Sequence, residues 1–217
     1  FRTYDDYGPV IVMDDGNKRY MAFSENDEQS CLLKSDPGLL QHDYCRAMLL
    51  VLLFKQPKTL LMFGMGGGTL ATCLHQHVPG LKLTVVELRD AVIKAAYRFF
   101  QFPRSKRMTV ITMDASDYLD DDSQPQTDIL FSDMYGAEGL DLQQTQPWFL
   151  QRCHESLKPD GWLVLNCWNQ HRGEKEMLGA LCELFVDVRV CTTQEGNWVV
   201  FAGKKQSITS AAQLKVE

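Results

Sequence analysis

A glycine-rich turn between two apolar segments constrains this chain more than any other feature of its sequence. Residues 60–63 form a short apolar run that leads directly into a Gly-Met-Gly-Gly-Gly loop at 64–68. A helix-like segment follows, and the next apolar run ends in Glu87, nineteen residues after Gly68. In a β-α-β unit such glycines let the backbone approach a ligand, and an acid at the second strand accepts ribose hydroxyls. The pattern predicts a nucleoside pocket at the edge of a parallel sheet.

The spacing of the glycines narrows the class of nucleoside. A dinucleotide fingerprint needs glycine at the first, third and sixth loop positions, which here hold Gly64, Gly66 and Thr69. No Lys-Ser or Lys-Thr pair follows, so a phosphate-binding P-loop is excluded. The remaining G-x-G-x-G pattern is typical of enzymes that bind S-adenosylmethionine and its relatives. A purely structural turn is the alternative, and Glu87 favours the nucleoside because a structural turn needs no carboxylate there.

Composition excludes several classes of function. The 217 residues are 45% hydrophobic, as in a globular domain, and carry a net charge of −6, which argues against a nucleic-acid partner. An acidic protein suits a small or cationic partner instead. The longest apolar run, at 47–54, is too short to cross a bilayer, so we expect no membrane partner.

Cysteine and histidine usage predicts a reduced protein without a metal. The seven cysteines lie mostly in apolar runs and form no C-x-x-C pair, which favours reduced core residues and a cytoplasmic location. His75 and His77 are two residues apart on a predicted helix and therefore point to different faces. The acidic run at 120–122 is interpreted as a solvated loop, and no metal site is expected.

Alternating strand and helix patterns predict an α/β fold from residue 58 onward. Strands are predicted at 59–63, 81–87, 108–112, 127–132 and 160–167, and helices at 68–77, 90–100, 145–157 and 172–185. Apolar runs at 185–190 and 198–201, around a turn at 195–197, predict an antiparallel hairpin. Together they predict a seven-stranded, mostly parallel, Rossmann-like sheet of the methyltransferase type.

The first residues have a different pattern. Apolar residues at 10–13 and 19–23 flank an Asp-Asp-Gly-Asn turn, which predicts a β-hairpin, and a third short strand is possible near Cys31. Residues 39–54 have helical spacing. We therefore divide the chain into an N-terminal β-hairpin segment at 1–36, a nucleoside-binding transferase domain at 37–204 and a tail at 205–217.

Acidic residues at two further strand ends are candidates for the same pocket, because ligands of open α/β sheets lie beyond the carboxyl ends of the strands. Asp114, beside Ala115, is suited to accept from the adenine amine, and it is equally suited to cap a helix at 116–119. Asp133 is suited to take a proton from an amine or to hold a cationic substrate, with a turn-forming role as the alternative. Tyr135 is placed to stack on a ligand or simply to pack.

These residues together resemble the polyamine aminopropyltransferase (spermidine synthase) family. The strand-rich start favours that family over methyltransferases in general. The matching motifs cover most of the chain and lie at 12–16, 27–28, 43–44, 63–68, 85–88, 114–115, 128–133 and 157–161.

The resemblance implies transfer of an aminopropyl group from decarboxylated S-adenosylmethionine to a small amine, leaving methylthioadenosine. It implies that Glu87 holds the ribose, Asp114 the adenine, and that Asp133 is the base. We also expect a homodimer. The candidate catalytic residues are Asp133 and Tyr135, and the candidate cofactor-binding residues are Gly64, Gly66, Gly67, Gly68, Glu87, Leu88, Asp114 and Ala115.

Two positions depart from the family pattern. Gly67 stands where the family loop has an Asp that grips the donor's amino end, and Gly136 stands where it has a second Asp after the base. The departures indicate a divergent, spermidine-synthase-like branch, in which Glu138, Asp141 or Glu195 would have to bind the amines. A methyltransferase is one alternative, because Gly67 removes a charge that would repel the carboxylate of intact S-adenosylmethionine. A non-enzymatic nucleoside-binding module is the other.

Overall fold

A computed structural model describes residues 1–25 and 28–208 of the chain. Asp27 of the family motif and positions 209–217 of the predicted tail lie outside the described residues. No helix in the described part is long and apolar enough to cross a membrane. All seven cysteines are free thiols; five of them are buried, while Cys182 is exposed and Cys191 is half-buried.

The chain begins with a four-stranded antiparallel sheet, which we call the N-terminal sheet. Its strands follow in the order β1 (Arg2–Asp5), β2 (Gly8–Asp15), β3 (Lys18–Ala22) and β4 (Ser30–Leu33). The predicted hairpin and the strand near Cys31 are confirmed. The sequence did not predict β1, because its four residues alternate between exposed and half-buried and contain no apolar run.

Only part of the predicted 39–54 helix is α-helical. α1 (Asp43–Met48) continues into a 3₁₀ segment at Leu49–Leu53. The side chains of Cys45, Ala47, Met48 and Val51 are buried, and Val51 in the 3₁₀ segment lies three residues after Met48, the last residue of α1. A three-residue period places side chains on one face in 3₁₀ geometry, which agrees with the tighter winding.

The predicted seven-stranded sheet is confirmed. Its order is β12-β13-β11-β8-β5-β6-β7, parallel from β11 to β7, with β13 antiparallel to both of its neighbours. The strands are β5 (Thr59–Phe63), β6 (Lys82–Glu87), β7 (Met108–Thr112), β8 (Thr127–Ser132), β11 (Leu157–Trp168), β12 (Asp187–Thr192) and β13 (Asn197–Gly203). A two-residue ladder of β9 (Tyr135–Gly136) and β10 (Gly139–Leu140) stands apart from this sheet.

Helices cover both faces of this sheet. They are α2 (Thr69–His77), α3 (Asp90–Phe99), α4 (Ala115–Asp120), α5 (Pro147–Glu155) and α6 (Lys175–Leu184). One apolar core includes side chains of α1, α2 and α3, and a second core on the other face includes side chains of α4, α5 and α6. Four of the five helices were predicted; α4 was foreseen only as the capping alternative for Asp114.

The N-terminal sheet packs on the main domain through α3. Val10, Met21 and Leu32 share a buried cluster with Val92 of α3 and with Phe100, which follows it. The Arg89 guanidinium reinforces this contact: Nε lies 3.0 Å and Nη2 2.9 Å from the two carboxylate oxygens of Asp5. The predicted first segment therefore has a common core with the domain that carries the glycine loop.

Asp128, in the motif at 128–133, anchors the sheet at the end remote from the glycine loop. One carboxylate oxygen accepts from the backbone N–H groups of Lys58 and Thr59, both at 2.9 Å, and lies 3.1 Å from Nζ of Lys158. These bonds hold the pKa of the Asp128 carboxyl well below its usual range although burial opposes them. Asp128 therefore joins the starts of β5, β8 and β11.

Candidate active site

The carboxyl ends of the parallel strands open on one cavity of about 780 Å³. Its walls come from the glycine loop, from the ends of β6, β7 and β8, from the start of α1 and from the N-terminal sheet. Eight of the ten predicted site residues line it, namely Gly64, Gly66, Glu87, Leu88, Asp114, Ala115, Asp133 and Tyr135. Gly67 and Gly68 do not.

The glycine loop is held in a shape that needs glycine. Gly64 has φ of 83° and Gly66 has φ of 52°, both in the left-handed region. A Cβ on Gly64 would lie 2.2 Å from the Asp133 carbonyl oxygen, so the loop and the end of β8 are in direct backbone contact. This contact brings the candidate nucleoside loop next to the candidate base.

Glu87 is oriented by the loop that it faces. Its two carboxylate oxygens accept from the backbone N–H groups of Met65 and Arg89, each at 2.9 Å. The side chain is only 7% exposed, and burial raises the pKa of its carboxyl although these hydrogen bonds oppose the shift. The Gly66 backbone is a third, weaker hydrogen-bond partner, and a carboxylate with about four lone-pair sites therefore retains acceptor capacity for a ribose.

The backbone at Gly67 and Gly68 packs closely against two aromatic rings. A Cβ on Gly67 would lie 2.5 Å from the ring of Phe100, and one on Gly68 would lie 2.3 Å from the ring of Phe102. The Gly67 N–H donates to Oγ of Ser30 on β4, at 2.8 Å. The side-chain direction at 67 therefore points into the core beneath the N-terminal sheet.

We expect Gly67→Asp to destabilise the protein by about 1–3 kcal/mol, because overpacking displaces a ring that is only 1% exposed. Gly136→Asp is the matched control, since a Cβ there meets nothing within 4 Å, and it should change the stability by less than about 0.5 kcal/mol. Urea unfolding of both variants measures the difference. Equal stability of the two variants would show that the Phe100 ring moves aside without an energetic cost.

Asp114 caps α4, as one of its two interpretations predicted. Oδ1 accepts from the backbone N–H of Ser116 at 2.7 Å and from its hydroxyl at 2.6 Å. Oδ2 has no hydrogen-bond partner among the residues described, and the residue lines the cavity. The cap uses only Oδ1, so Oδ2 could still accept from an adenine amine, and that contact stays a prediction.

Asp133 faces the cavity at the end of β8. Nδ2 of Asn166 donates to its Oδ1 at 2.8 Å, and Tyr44 of α1 also bonds to the carboxylate. Within the described residues no Lys or Arg forms an ion pair with it. Burial raises the pKa of its carboxyl to about 6 although both hydrogen bonds lower it.

The hydroxyl of Tyr135 is already engaged. It donates to the backbone carbonyl of Asn166 at 3.2 Å, and the ring lies 5.6 Å from that of Trp168. Burial, followed by the nearby Asp133 charge, raises the pKa of this phenol far above its usual value. The geometry therefore makes Tyr135 an aromatic wall beside Asp133, and its predicted catalytic role stays a prediction.

Several lining residues were not among the sequence candidates. Tyr44 and Glu28 carry an advance signal, because they lie in the motifs at 43–44 and 27–28. Asn166, Trp168 and Asn197 come from β11 and from the start of β13, and Ser30 comes from β4. Nothing in the local sequence distinguishes these residues from ordinary wall or hairpin positions.

The cavity has a strongly acidic lining. Its acids are Glu28, Glu87, Asp114, Asp133, Glu138, Asp141 and Glu195. The only Lys or Arg among the described lining residues is Arg89, whose guanidinium is paired with Asp5. His42 lies 3.4 Å from Glu28. Such a lining attracts cations, and the three acids proposed to bind amines all lie on it.

Metal-binding geometry is not found in the part of the chain that the structure describes, where no three His, Cys, Asp or Glu side chains form a candidate cluster.

Comparison with known proteins agrees with this geometry. The sequence model of the O-methyltransferase domain matches residues 24–198. The chain belongs to this family. Among its relatives, a polyamine aminopropyltransferase of Chromobacterium violaceum is 27% identical over 211 residues, which cover 95% of this chain and 80% of the relative.

Two solved structures, of a probable spermidine synthase and of a methyltransferase-like protein, are similar to this one. A probable spermidine synthase from Corynebacterium glutamicum superposes with a TM-score of 0.81 at 20% identity, covering 97% of this chain and 82% of that one. Human methyltransferase-like protein 13, in complex with SAH, gives a TM-score of 0.72 at 25% identity, covering 81% of this chain and 89% of that one.

These relatives confirm the family resemblance and the Rossmann-like methyltransferase fold. The chain is a transferase of a divergent, spermidine-synthase-like branch that also has methyltransferase relatives.

Proposed function

We propose that this protein transfers an aminopropyl group from decarboxylated S-adenosylmethionine to a small amine, with Asp133 as the general base. The observation that carries the proposal is the Asp133 carboxylate, which faces an acidic cavity beside the glycine loop without a Lys or Arg partner among the described residues. The similarity to the Chromobacterium violaceum aminopropyltransferase over 95% of the chain supports the reaction class.

The residues at the strand ends fit a sulfonium nucleoside. Gly64 and Gly66 line the cavity with left-handed backbone that carries no side chain, and Glu87 retains acceptor capacity for a ribose. Leu88 and Ala115 offer apolar surface for the adenine ring. Asp114 has one carboxylate oxygen without a partner among the described residues, which could accept from the adenine amine. These groups would place the sulfonium near the glycine loop and Asp133.

In the reaction, the amine nitrogen attacks the propyl carbon attached to the sulfonium. The new C–N bond forms as the C–S bond breaks, and that electron pair stays on sulfur to give neutral methylthioadenosine. Asp133 takes the proton that the nitrogen loses. Its pKa of about 6, instead of the usual 3.8, reduces the cost of accepting a proton by about 3 kcal/mol.

Methyl transfer from intact S-adenosylmethionine is the second candidate. Position 67 carries no acid, and the side-chain direction there is blocked by Phe100, so the glycine loop adds no charge that would repel a carboxylate. The similarity to a human methyltransferase-like protein in complex with SAH supports this alternative. A non-enzymatic module is less well supported, because the similar proteins are named as transferases or synthases.

Calorimetric titration with S-adenosylmethionine, its decarboxylated form and methylthioadenosine tests the proposal. We expect the decarboxylated donor to bind more tightly than the intact one, because the acidic cavity repels a carboxylate. Mass analysis of linear diamines incubated with enzyme and donor should then reveal an added aminopropyl group. Preference for the intact donor together with methylated products would establish the second candidate instead.

A further inference from the structure

Asn166 is the centre of the hydrogen-bond network behind Asp133. It lies on β11 next to the end of β8 and is 1% exposed. Its side chain bonds to Asp133 on one side and to Asn197 of β13 on the other, at 2.8 and 3.0 Å. Its backbone carbonyl accepts from the Tyr135 hydroxyl and from Nε2 of Gln144.

The direction of these bonds is set by chemistry. An ionised carboxylate only accepts, so the amide of Asn166 must turn its NH₂ group toward Asp133. Its oxygen then faces Asn197, which must supply an NH₂ group in turn. The bond from Asn197 therefore favours the orientation in which the Asn166 amide presents its NH₂ group, and not its oxygen, to the carboxylate.

Other groups also surround the Asp133 carboxylate. On α1, Tyr44 bonds to the carboxylate, and Cys45 beside it is a buried thiol whose pKa is raised by burial. Tyr135 on β9 and Cys167 on β11 are neutral neighbours. Glu28, His42 and Glu195 line the same cavity, and the glycine loop brings no titratable side chain of its own.

We infer that Asn166 and Asn197 form an amide relay that positions the Asp133 carboxylate and stabilises its charged form. Both are positioning residues, with Asn166 acting directly on Asp133 and Asn197 acting through Asn166. The inference rests on the proposed function, in which Asp133 takes the proton. It also assigns a role to the C-terminal hairpin, because Asn197 is the first residue of β13.

The test is a carbon-13 NMR titration of aspartate-labelled protein, with Asp133→Asn used to assign the Asp133 carboxyl signal. In Asn166→Ala we expect the Asp133 pKa to rise by about one pH unit, because a hydrogen bond to the charged form is lost. In Asn197→Ala the rise should be smaller, since the Asn166 amide remains but is free to rotate. Tyr135 and Gln144 keep their backbone acceptor in both variants.

Asn169→Ala is the matched control, because this exposed residue lies just beyond β11 and its described hydrogen bond uses only the backbone. It should leave the titration unchanged. Near-UV circular dichroism of each variant verifies the fold. An unchanged Asp133 pKa in folded Asn166→Ala or in folded Asn197→Ala would overturn the relay.

Kinetics separate the relay from the proposed function. If Asp133 is the base, the acid limb of the kcat/KM profile should move upward in Asn166→Ala with little change in donor affinity. If Asp133→Asn retains full turnover while Asn166→Ala still shifts the carboxyl titration, the proposed function fails and the relay stands.

Discussion

Asp133→Asn is expected to lower turnover by about 10²- to 10⁴-fold, the usual contribution of a positioned general base. The amide is close in shape to the carboxylate but takes up no proton. Donor affinity should stay within a few-fold of the parent protein, because the proposed nucleoside contacts lie at Glu87 and the glycine loop, which line the cavity separately from the Asp133 carboxylate. Single-turnover kinetics with saturating donor measures the loss, and full turnover would remove Asp133 from the mechanism.

The same substitution should make the folded protein more stable at neutral pH. The folded-state pKa of Asp133 is about 6 against an unfolded value near 3.8, so ionisation costs folding free energy as the pH rises between these values. Asn carries no such cost. We expect a gain on the order of 2 kcal/mol at pH 7, discounted because the carboxylate faces the cavity, and no gain below pH 3.8.

Urea unfolding of Asp133→Asn and of the parent protein, at pH 7 and below pH 3.8, measures the gain in stability. A stability difference that does not depend on pH would contradict the raised pKa. An inactive variant that is more stable at pH 7 would indicate that the fold sacrifices stability to keep a charge in the site.

Glu87→Gln is expected to weaken methylthioadenosine binding by at least about 100-fold. The proposed hydrogen bonds from the ribose to this carboxylate are charge-assisted, and each would contribute about 1.5–3 kcal/mol. The amide also places an NH₂ group against a backbone N–H of Met65 or Arg89, which both donate to the present oxygens. The loop would therefore lose one of its own partners as well.

Calorimetry with methylthioadenosine tests the expected effect of Glu87→Gln. This compound lacks the aminopropyl group, so its affinity reports the nucleoside contacts alone. Glu176→Gln, at an exposed position on α6, is the control and should bind as the parent does. Unaltered affinity in Glu87→Gln would move the nucleoside away from the end of β6.

The strands of the main sheet were predictable because buried parallel strands are continuous apolar runs bounded by turns. β5, β7 and β8 have the predicted limits, and β6 begins one residue later. The short elements were less predictable: β1 has no apolar run, and α4 is too short for a helical period to emerge. Such elements are stabilised by neighbours that are distant in sequence.

The candidate active site likewise contains residues that the sequence indicated and residues that it did not. Glu87, Asp114 and Asp133 line the cavity as expected, because each lies at the end of a predicted strand and the ends of parallel strands meet at one edge of the sheet. Asn166 lies near the end of the strand predicted at 160–167 and Asn197 in the turn predicted at 195–197, but neither could be assigned a role, since an amide at such a position has no distinctive local pattern. Their partnership with Asp133 is visible only when β8, β11 and β13 lie side by side.

The order of apolar runs, glycines and acids along the chain was sufficient for the individual strands, the glycine loop and the strand-end acids, because each of these depends on residues that are close in sequence. Folding alone decided the direction in which Gly67 points and the burial that raises the pKa of Asp133. It also decided the bonding of Asn197 to Asn166. Each depends on the distance between residues from separate elements, and a linear pattern of residue types does not contain those distances.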